Sequence, residues 1–285
     1  MSNAMQKLLD KVNKAKSSGG FEDPHADKFW KVESDAAGNA YAVIRFLPGK
    51  TEDDDVFVKT YSHGFQNDAG KWFIDNCLTT LGQDCPVCNS NSVLWNSGID
   101  ANKDIARKRK RKVSYISNIL VVADSKHPEN EGKVFLFKYG QKIFDKIVGA
   151  MQPEFEDETP INPFDLDKGA NFKLKMRRVE GFANFDKSEF DEVSAINKKE
   201  QKNVMDSIHD IGVFLAPSEF KSFDELKAKL DKVLGTSSAL APKASSKDDD
   251  EVKPERQQRK GVHEESSGGE DDDDMAFFRT IADES

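Results

Sequence analysis

The chain has 285 residues, a net charge of −9 and 33% charged residues, and no apolar run long enough to span a bilayer, so a membrane-spanning protein is excluded and one large domain or two small ones are allowed. The acidity is local: residues 248–285 hold 14 acids and 5 bases, and the rest of the chain carries 37 of each sign. The low isoelectric point therefore describes the C-terminal end and leaves room for a nucleic-acid-binding body.

Met1-Ser2-Asn3-Ala4 before a second methionine looks like a cloning remnant, and nothing near it reads as a secretory signal. Residues 1–20 are expected to form a basic arm with helical potential, carrying Lys7, Lys11, Lys14 and Lys16. Such an arm is either a solvated helix or a segment that docks on a neighbouring subunit. Strands are expected at 29–33 and 40–47, joined by the turn-forming Ala37-Gly38-Asn39. Gly49-Lys50-Thr51 invites a phosphate-loop reading, but Ile44 stands where that motif needs its first glycine, so a nucleotide triphosphatase is rejected. Further strands are expected at 56–62 and 71–75.

The second of these leads into the only cysteines of the chain, Cys77, Cys85 and Cys88, and the first leads into His63. Three thiolates and an imidazole make a complete tetrahedral shell for Zn²⁺, and Cys85-Pro86-Val87-Cys88 is compact enough to aim two sulfurs at one ion. Four protein ligands leave no position open for water, so the expected site is structural. An odd cysteine count argues against a disulfide framework. A redox C-x-x-C would follow a strand in a βαβ unit, which is absent here. A nucleobase deaminase needs H-x-E and P-C-x-x-C, whereas this chain has His63-Gly64-Phe65 and Asp84 before Cys85.

Lys103 to Lys112 contains seven bases and one acid, and runs into the apolar strand at 114–122. A positive run anchored to a sheet in an otherwise neutral body is a candidate phosphate-binding ridge. A turn-rich loop and a return strand at 133–139 follow, then a helix at 141–151 with apolar residues at Ile143, Phe144, Ile147 and Val148. At 171–179 apolar and basic residues alternate, placing Lys173, Lys175 and Arg177 on one strand face, with Phe182 and Phe185 just beyond. Helices are expected at 198–211 and 222–234, the latter opened by a Ser222/Glu225 capping box and stopped by Gly235. Residues 237–285 are too polar to offset ordering entropy and are expected to be a disordered acidic tail, ending in a short apolar cluster at 275–278 that suits capture by other proteins.

Short strands, a basic ridge and aromatics interleaved with cations are what single-stranded nucleic acid requires, because a cationic groove follows phosphates while ring faces stack on bases. The groove candidates are Arg45, Arg109, Lys110, Arg111 and Lys112; the stacking candidates are Tyr115, Phe137, Tyr139, Phe182 and Phe185. A zinc-stabilised adaptor of transcription or replication that binds duplex or protein is the alternative. No nucleophile and base pair or open metal position supports an enzyme.

Segments in the order AGNAYAVIRFLPGK, HGF with GKW, CPVC, SYISNILVV, PENEGKVF with KIFDKI, GANFKLK and GFANFDKSEF make the chain similar to the helix-destabilising single-stranded DNA-binding proteins of T-even-type bacteriophages. The resemblance implies an α+β protein with a mainly β core: an oligonucleotide-binding (OB) fold over 21–236 with a structural zinc subdomain at about 56–95 and flanking helices. It also implies a basic N-terminal region for cooperative self-association into filaments and an acidic C-terminal region for contacts with replication and recombination proteins. It implies no membrane partner and a place in the cytoplasm of the infected bacterial host. The family carries an indole at the position of Ile116 and a phenol at the position of Ala106, so two of its aromatics are missing here. The family's compact basic triplet followed by Ser/Thr is only loosely matched at Lys14 to Ser18 and at Arg111 to Ser114.

Overall fold

The computed structural model describes residues 25–155 and 157–236, so the expected arm at 1–20 and the expected tail at 237–285 lie outside the described residues. In chain order the main elements are β1 (Ala40–Phe46), β2 (Val58–Gln66), β3 (Trp72–Asn76), α1 (Pro86–Asn96), α2 (Asp100–Arg109), β4 (Lys112–Ala123), β5 (Val134–Tyr139), α3 (Gln141–Met151), β6 (Ala170–Val179), β7 (Phe182–Asn184), β8 (Glu189–Val193), α4 (Lys198–Asp206) and α5 (Phe223–Leu234). They fall into two compact units, one holding 25–59 with 114–214 and the other 60–113 with 215–236. No helix among the described residues is long and apolar enough to cross a membrane.

The first unit is a mixed helix-and-sheet body around a curled antiparallel sheet. β1 lies between β4 and β6, β5 pairs with β4, and both β7 and β8 pair with β6. Register shifts at Val43/Ile44 and Ala170/Phe172 put an irregularity into two of these ladders, which is how a sheet acquires extra twist and bends. Phe46 sits at the centre of an aromatic core with Tyr139, Phe164, Phe172 and Phe190 packed around it in edge-on or tilted contacts. A second cluster of Leu47, Leu120, Ile196, Val204 and Ile208 seats α4. Asn118, buried on β4, both donates to the His209 carbonyl and accepts from the His209 amide at 2.9 Å, closing the segment after α4 onto the sheet.

The second unit is built on the β2–β3 hairpin. Phe65 and Phe73 stand opposite each other in register and stack at 5.1 Å, and α1, α2 and α5 complete the unit. The capping box at Ser222 and Glu225 forms, and Gly235 ends α5 at φ 74°.

Three expectations need correction. Residues 29–33 do not form a strand: Phe29 makes one isolated bridge to Leu136, and the segment is fixed by the Trp30 indole donating to Asp124 at 3.0 Å. The helix expected to run to residue 211 ends at Asp206. The expected basic ridge at 103–112 is mostly helical, since its first seven residues lie on α2, and the stretch before it is helix α1.

Candidate metal centre and nucleic-acid interface

Strand alternation brings the first ligand inward. On β2, His63 and Phe65 point to the covered face of the hairpin and are buried, while Gln66 is exposed. The hairpin register places His63 opposite Asp75, and Cys77 follows two residues later, its amide donating to the Tyr61 carbonyl at 2.9 Å. A 3-10 turn at Leu78–Leu81 then returns the chain to Cys85, which is the N-cap of α1, with Pro86 at the first helical position. Cys88 sits three residues on, in the first turn, so both sulfurs lie at the positive end of the helix, where thiolate is favoured.

The four donor atoms lie within 4.8 Å of one another and all four residues are buried. The Cys77 and Cys88 sulfurs are 3.6 Å apart, and His63 Nε2 is 3.6 Å from the Cys85 sulfur and 3.4 Å from that of Cys88. A tetrahedral ion with metal–sulfur bonds of about 2.3 Å and a metal–nitrogen bond of about 2.0 Å has edges of roughly 3.5–3.8 Å, so the spacing fits one metal ion. The thiols also perturb one another. Hydrogen bonding from Cys77 and Cys88 pulls the Cys85 thiol far below its ordinary range, while hydrogen bonding to Cys77 and Cys85, with burial, pushes the Cys88 thiol up. Buried sulfurs that compete for the same protons are resolved by a cation that replaces them.

An apolar shell surrounds the cluster: Phe65, Phe73, Leu78 and Val87 from nearby in the chain, and Leu226, Leu230 and Val233 from α5, more than a hundred residues away. Asp75 anchors that helix, receiving Lys221 Nζ at 2.6 Å and Lys229 Nζ, and Lys229 also donates to the Ile74 carbonyl at 2.8 Å. No feature of 60–90 alone announces α5 as part of this shell.

The basic run lies against the same unit. Three of its arginines rest over aromatic rings: Arg107 over Trp95 at 5.3 Å, Arg109 over Phe65 at 5.5 Å and Arg111 over Tyr61 at 4.0 Å. Arg111 also donates to Thr79 Oγ1 at 2.8 Å. Burial lowers the Arg109 pKa, with the Asp68 carboxylate pulling the other way. Lys110 is half-buried and Lys112 exposed. Tyr61, Trp95 and Arg107 were not among the expected site residues; an aromatic at a distance from a cation in sequence gives no pairing signal.

The first unit treats its candidates differently. Phe182 is 77% exposed at the tip of the β6–β7 hairpin, whose two-residue turn puts Glu180 at φ 53° and Gly181 at φ 87°, the left-handed pair that tight hairpins demand. Phe185 is half-buried. Tyr115, Phe137 and Tyr139, by contrast, are core residues: Tyr115 stacks on Phe144 at 3.9 Å and its hydroxyl donates to Gln141, while Ser117 and Tyr139 share a 2.9 Å hydrogen bond. They do not offer a ring face at the surface: Tyr115 lies where every residue of β4 to Val121 is buried, and Phe137 and Tyr139 are buried on β5. Ala106 and Ile116 are buried too.

Arg45 also departs from expectation. It is fully buried, and its Nη2 donates to the carbonyls of Asp165 at 2.8 Å and Ser194 at 2.9 Å; burial lowers its pKa. It ties the 162–169 loop to the end of β8 and does not line a groove. Arg45→Ala should remove one donor from each carbonyl, Asp165 keeping the Gly169 amide at 3.1 Å, and cost about 1–3 kcal/mol of stability, measurable as a lower denaturation midpoint with unchanged m-value. On β6, Lys173, Lys175 and Arg177 are matched by acids, with Asp191 at 2.9 Å, Glu189 at 2.6 Å and Asp186 at 3.0 Å from Arg177 Nε. Arg107 to Lys112 is an unbroken series of bases in the sequence, so the positive charge density of the chain is highest there, although Arg107 pairs with Asp104 at 2.6 Å.

Residues 38–234 match the family model described as gp32 DNA binding protein like. Among relatives, a single-stranded DNA-binding protein of Enterobacteria phage T2 is 42% identical over 233 residues, covering 79% of this chain and 75% of the relative. That of Enterobacteria phage T4 is 39% identical over 254 residues, covering 84% and 82%, and that of Enterobacteria phage RB70 is 42% identical over 105 residues, covering 35% and 85%.

Proposed function

The chain belongs to the gp32-like family of DNA-binding proteins, and from that premise we propose that it is a non-sequence-specific single-stranded DNA-binding protein without enzymatic activity. It coats and protects exposed single strands and removes their secondary structure during phage DNA replication, recombination and repair. The observation that carries this reading is the family match across 38–234, which takes in the cysteine cluster, the basic run and the β6–β7 hairpin. A protein that prefers single strands melts duplex by mass action and needs no nucleotide hydrolysis.

In this reading Arg109, Lys110, Arg111 and Lys112, joined by Arg107, follow the phosphates, and Phe182 and Phe185 stack on bases, at about 1–3 kcal/mol per base. Arg45, Tyr115, Phe137 and Tyr139 are buried and support the fold instead of touching the strand. The curled sheet supports an OB fold, a barrel that binds oligonucleotides. The metal is Zn²⁺, held by His63, Cys77, Cys85 and Cys88 as a structural ion; the Cys₃His donor set and the fitting distances support it. The basic arm at 1–20 serves cooperative self-association, and the acidic tail at 237–285 binds replication and recombination proteins and competes with DNA for the basic run. The protein works in the cytoplasm of the infected bacterium.

Titrating homopolymer single strands and duplex at several salt concentrations, with and without residues 237–285, tests this. Single strands should bind more tightly than duplex, log affinity should fall with log salt by about 0.7 per phosphate neutralised, and removal of the tail should tighten binding. Equal affinity for duplex, or a flat salt response, would sink the proposal.

A further inference from the structure

Two buried donors of the metal-bearing unit converge on one backbone oxygen. His63 Nδ1 lies 3.0 Å from the Arg109 carbonyl and Asn91 Nδ2 donates to the same atom at 2.9 Å, and both His63 and Asn91 are 1% exposed. Arg109 is the last residue of α2, so its carbonyl has no partner within the helix and sits at the negative end of the helix dipole. His63 turns Nε2 to the sulfurs; Nδ1 must then carry the ring proton, and a metal on one imidazole nitrogen with a carbonyl on the other is a usual way to fix the ring's tautomer and orientation. Asn91 commits its donor here although its own Oδ1 has no hydrogen-bond partner among the described residues, and burying that oxygen costs free energy.

The anchored carbonyl is the pivot of the basic run. Before it the chain is helical; directly after it Lys110 turns to ψ 149° and the chain extends into β4. Arg107 and Arg109 are on the helical side, Arg111 and Lys112 on the extended side, and the three arginines rest on Trp95, Phe65 and Tyr61. Planar cations held in place before binding lose less side-chain entropy when a phosphate arrives. We infer that His63 and Asn91 are positioning residues that transmit the rigidity of the metal centre, through the Arg109 carbonyl, to the guanidinium groups that meet the nucleic-acid backbone.

The inference rests on the single-stranded DNA reading above, and its test separates the two. Asn91→Ala removes one donor; His63→Cys removes the other while completing a four-cysteine shell that still holds Zn²⁺. Each is assayed for zinc per chain and for affinity towards an oligothymidine strand across a salt series. Zinc should stay at one per chain, and affinity should fall about tenfold with the slope of log affinity against log salt unchanged, because the same phosphates are met by cations that must now be ordered on binding. Partial unfolding lowers the active fraction seen in a stoichiometric titration without weakening the protein that remains, so a reduced active fraction at wild-type affinity overturns the inference, as do a smaller slope, which means lost phosphate contacts, and wild-type behaviour of the zinc-loaded variants. If Asn91→Ala fails to fold, His63→Cys decides by the same two readouts. A wild-type protein that does not bind the strand would instead refute the proposed function.

Discussion

Cys77→Ser should abolish stoichiometric metal binding and unfold the unit that carries the cluster, at a larger cost in stability than Arg45→Ala. The four ligands are 0–3% exposed and the three cysteines sit inside the hydrophobic cluster of that unit, so an ion held by them would be part of the core and not attached to a finished surface. In the variant two thiols, a hydroxyl and an imidazole remain buried where the donor atoms all lie within 4.8 Å of one another, and their protons must be accommodated inside an apolar shell. In small zinc-finger peptides the metal contributes about 10–16 kcal/mol of apparent binding free energy, which is folding free energy; a unit with other apolar contacts should lose part of that, a loss comparable to the about 5–15 kcal/mol by which a whole domain is stable. Hydrogen exchange should show protection lost in β2, β3, α1, α2 and α5 and retained in β1, β5 and β6. Protection in β2 and α1 equal to that of the metal-loaded wild type would rule the idea out.

The ligand set was legible from sequence because its chemistry is explicit: four donors of the right type at spacings that a hairpin and a helix start can bring together. The helix start and stop at Ser222 and Gly235 were legible for a similar reason, since capping residues act locally. Helices α1 and α2 were not. The inward face of α1 includes Asn91 and Ser92, and the only buried residue of α2 is Ala106, so neither shows the apolar period that a sequence reading relies on. Strand alternation placed Lys173, Lys175 and Arg177 on one face of β6, but the acids that neutralise them come from β8 and its approach, a pairing that no local signal encodes. The same limit explains Tyr115, Phe137 and Tyr139. An aromatic beside cations in a strand reads equally well as platform or core, and only the burial of both faces of β4 around Tyr115, and of Phe137 and Tyr139 on β5, decides for core.

The second large effect concerns α5, which joins the metal unit from far along the chain. Leu226, Leu230 and Val233 pack against Phe65, Phe73 and the three cysteines, and Lys221 and Lys229 fasten the helix to Asp75 at the edge strand β3. If α5 seals the site, a chelator takes the metal only when this cover opens, and the rate of extraction reports the local opening free energy. Leu230→Ala removes buried apolar volume and should cost about 2–5 kcal/mol. Since each 1.4 kcal/mol is a factor of ten in an equilibrium constant, extraction by a fast colorimetric chelator should accelerate at least tenfold. The exposed pair of Lys227 with Asp231 supplies the control, because a surface ion pair of this kind is worth only a few tenths of a kcal/mol, and Lys227→Ala should leave the rate within a factor of two or three. Faster extraction in Leu230→Ala alone would make α5 a seal on the metal centre. A Leu230→Ala protein with a lowered melting temperature but an unchanged extraction rate would mean that the metal escapes by a route that leaves α5 in place.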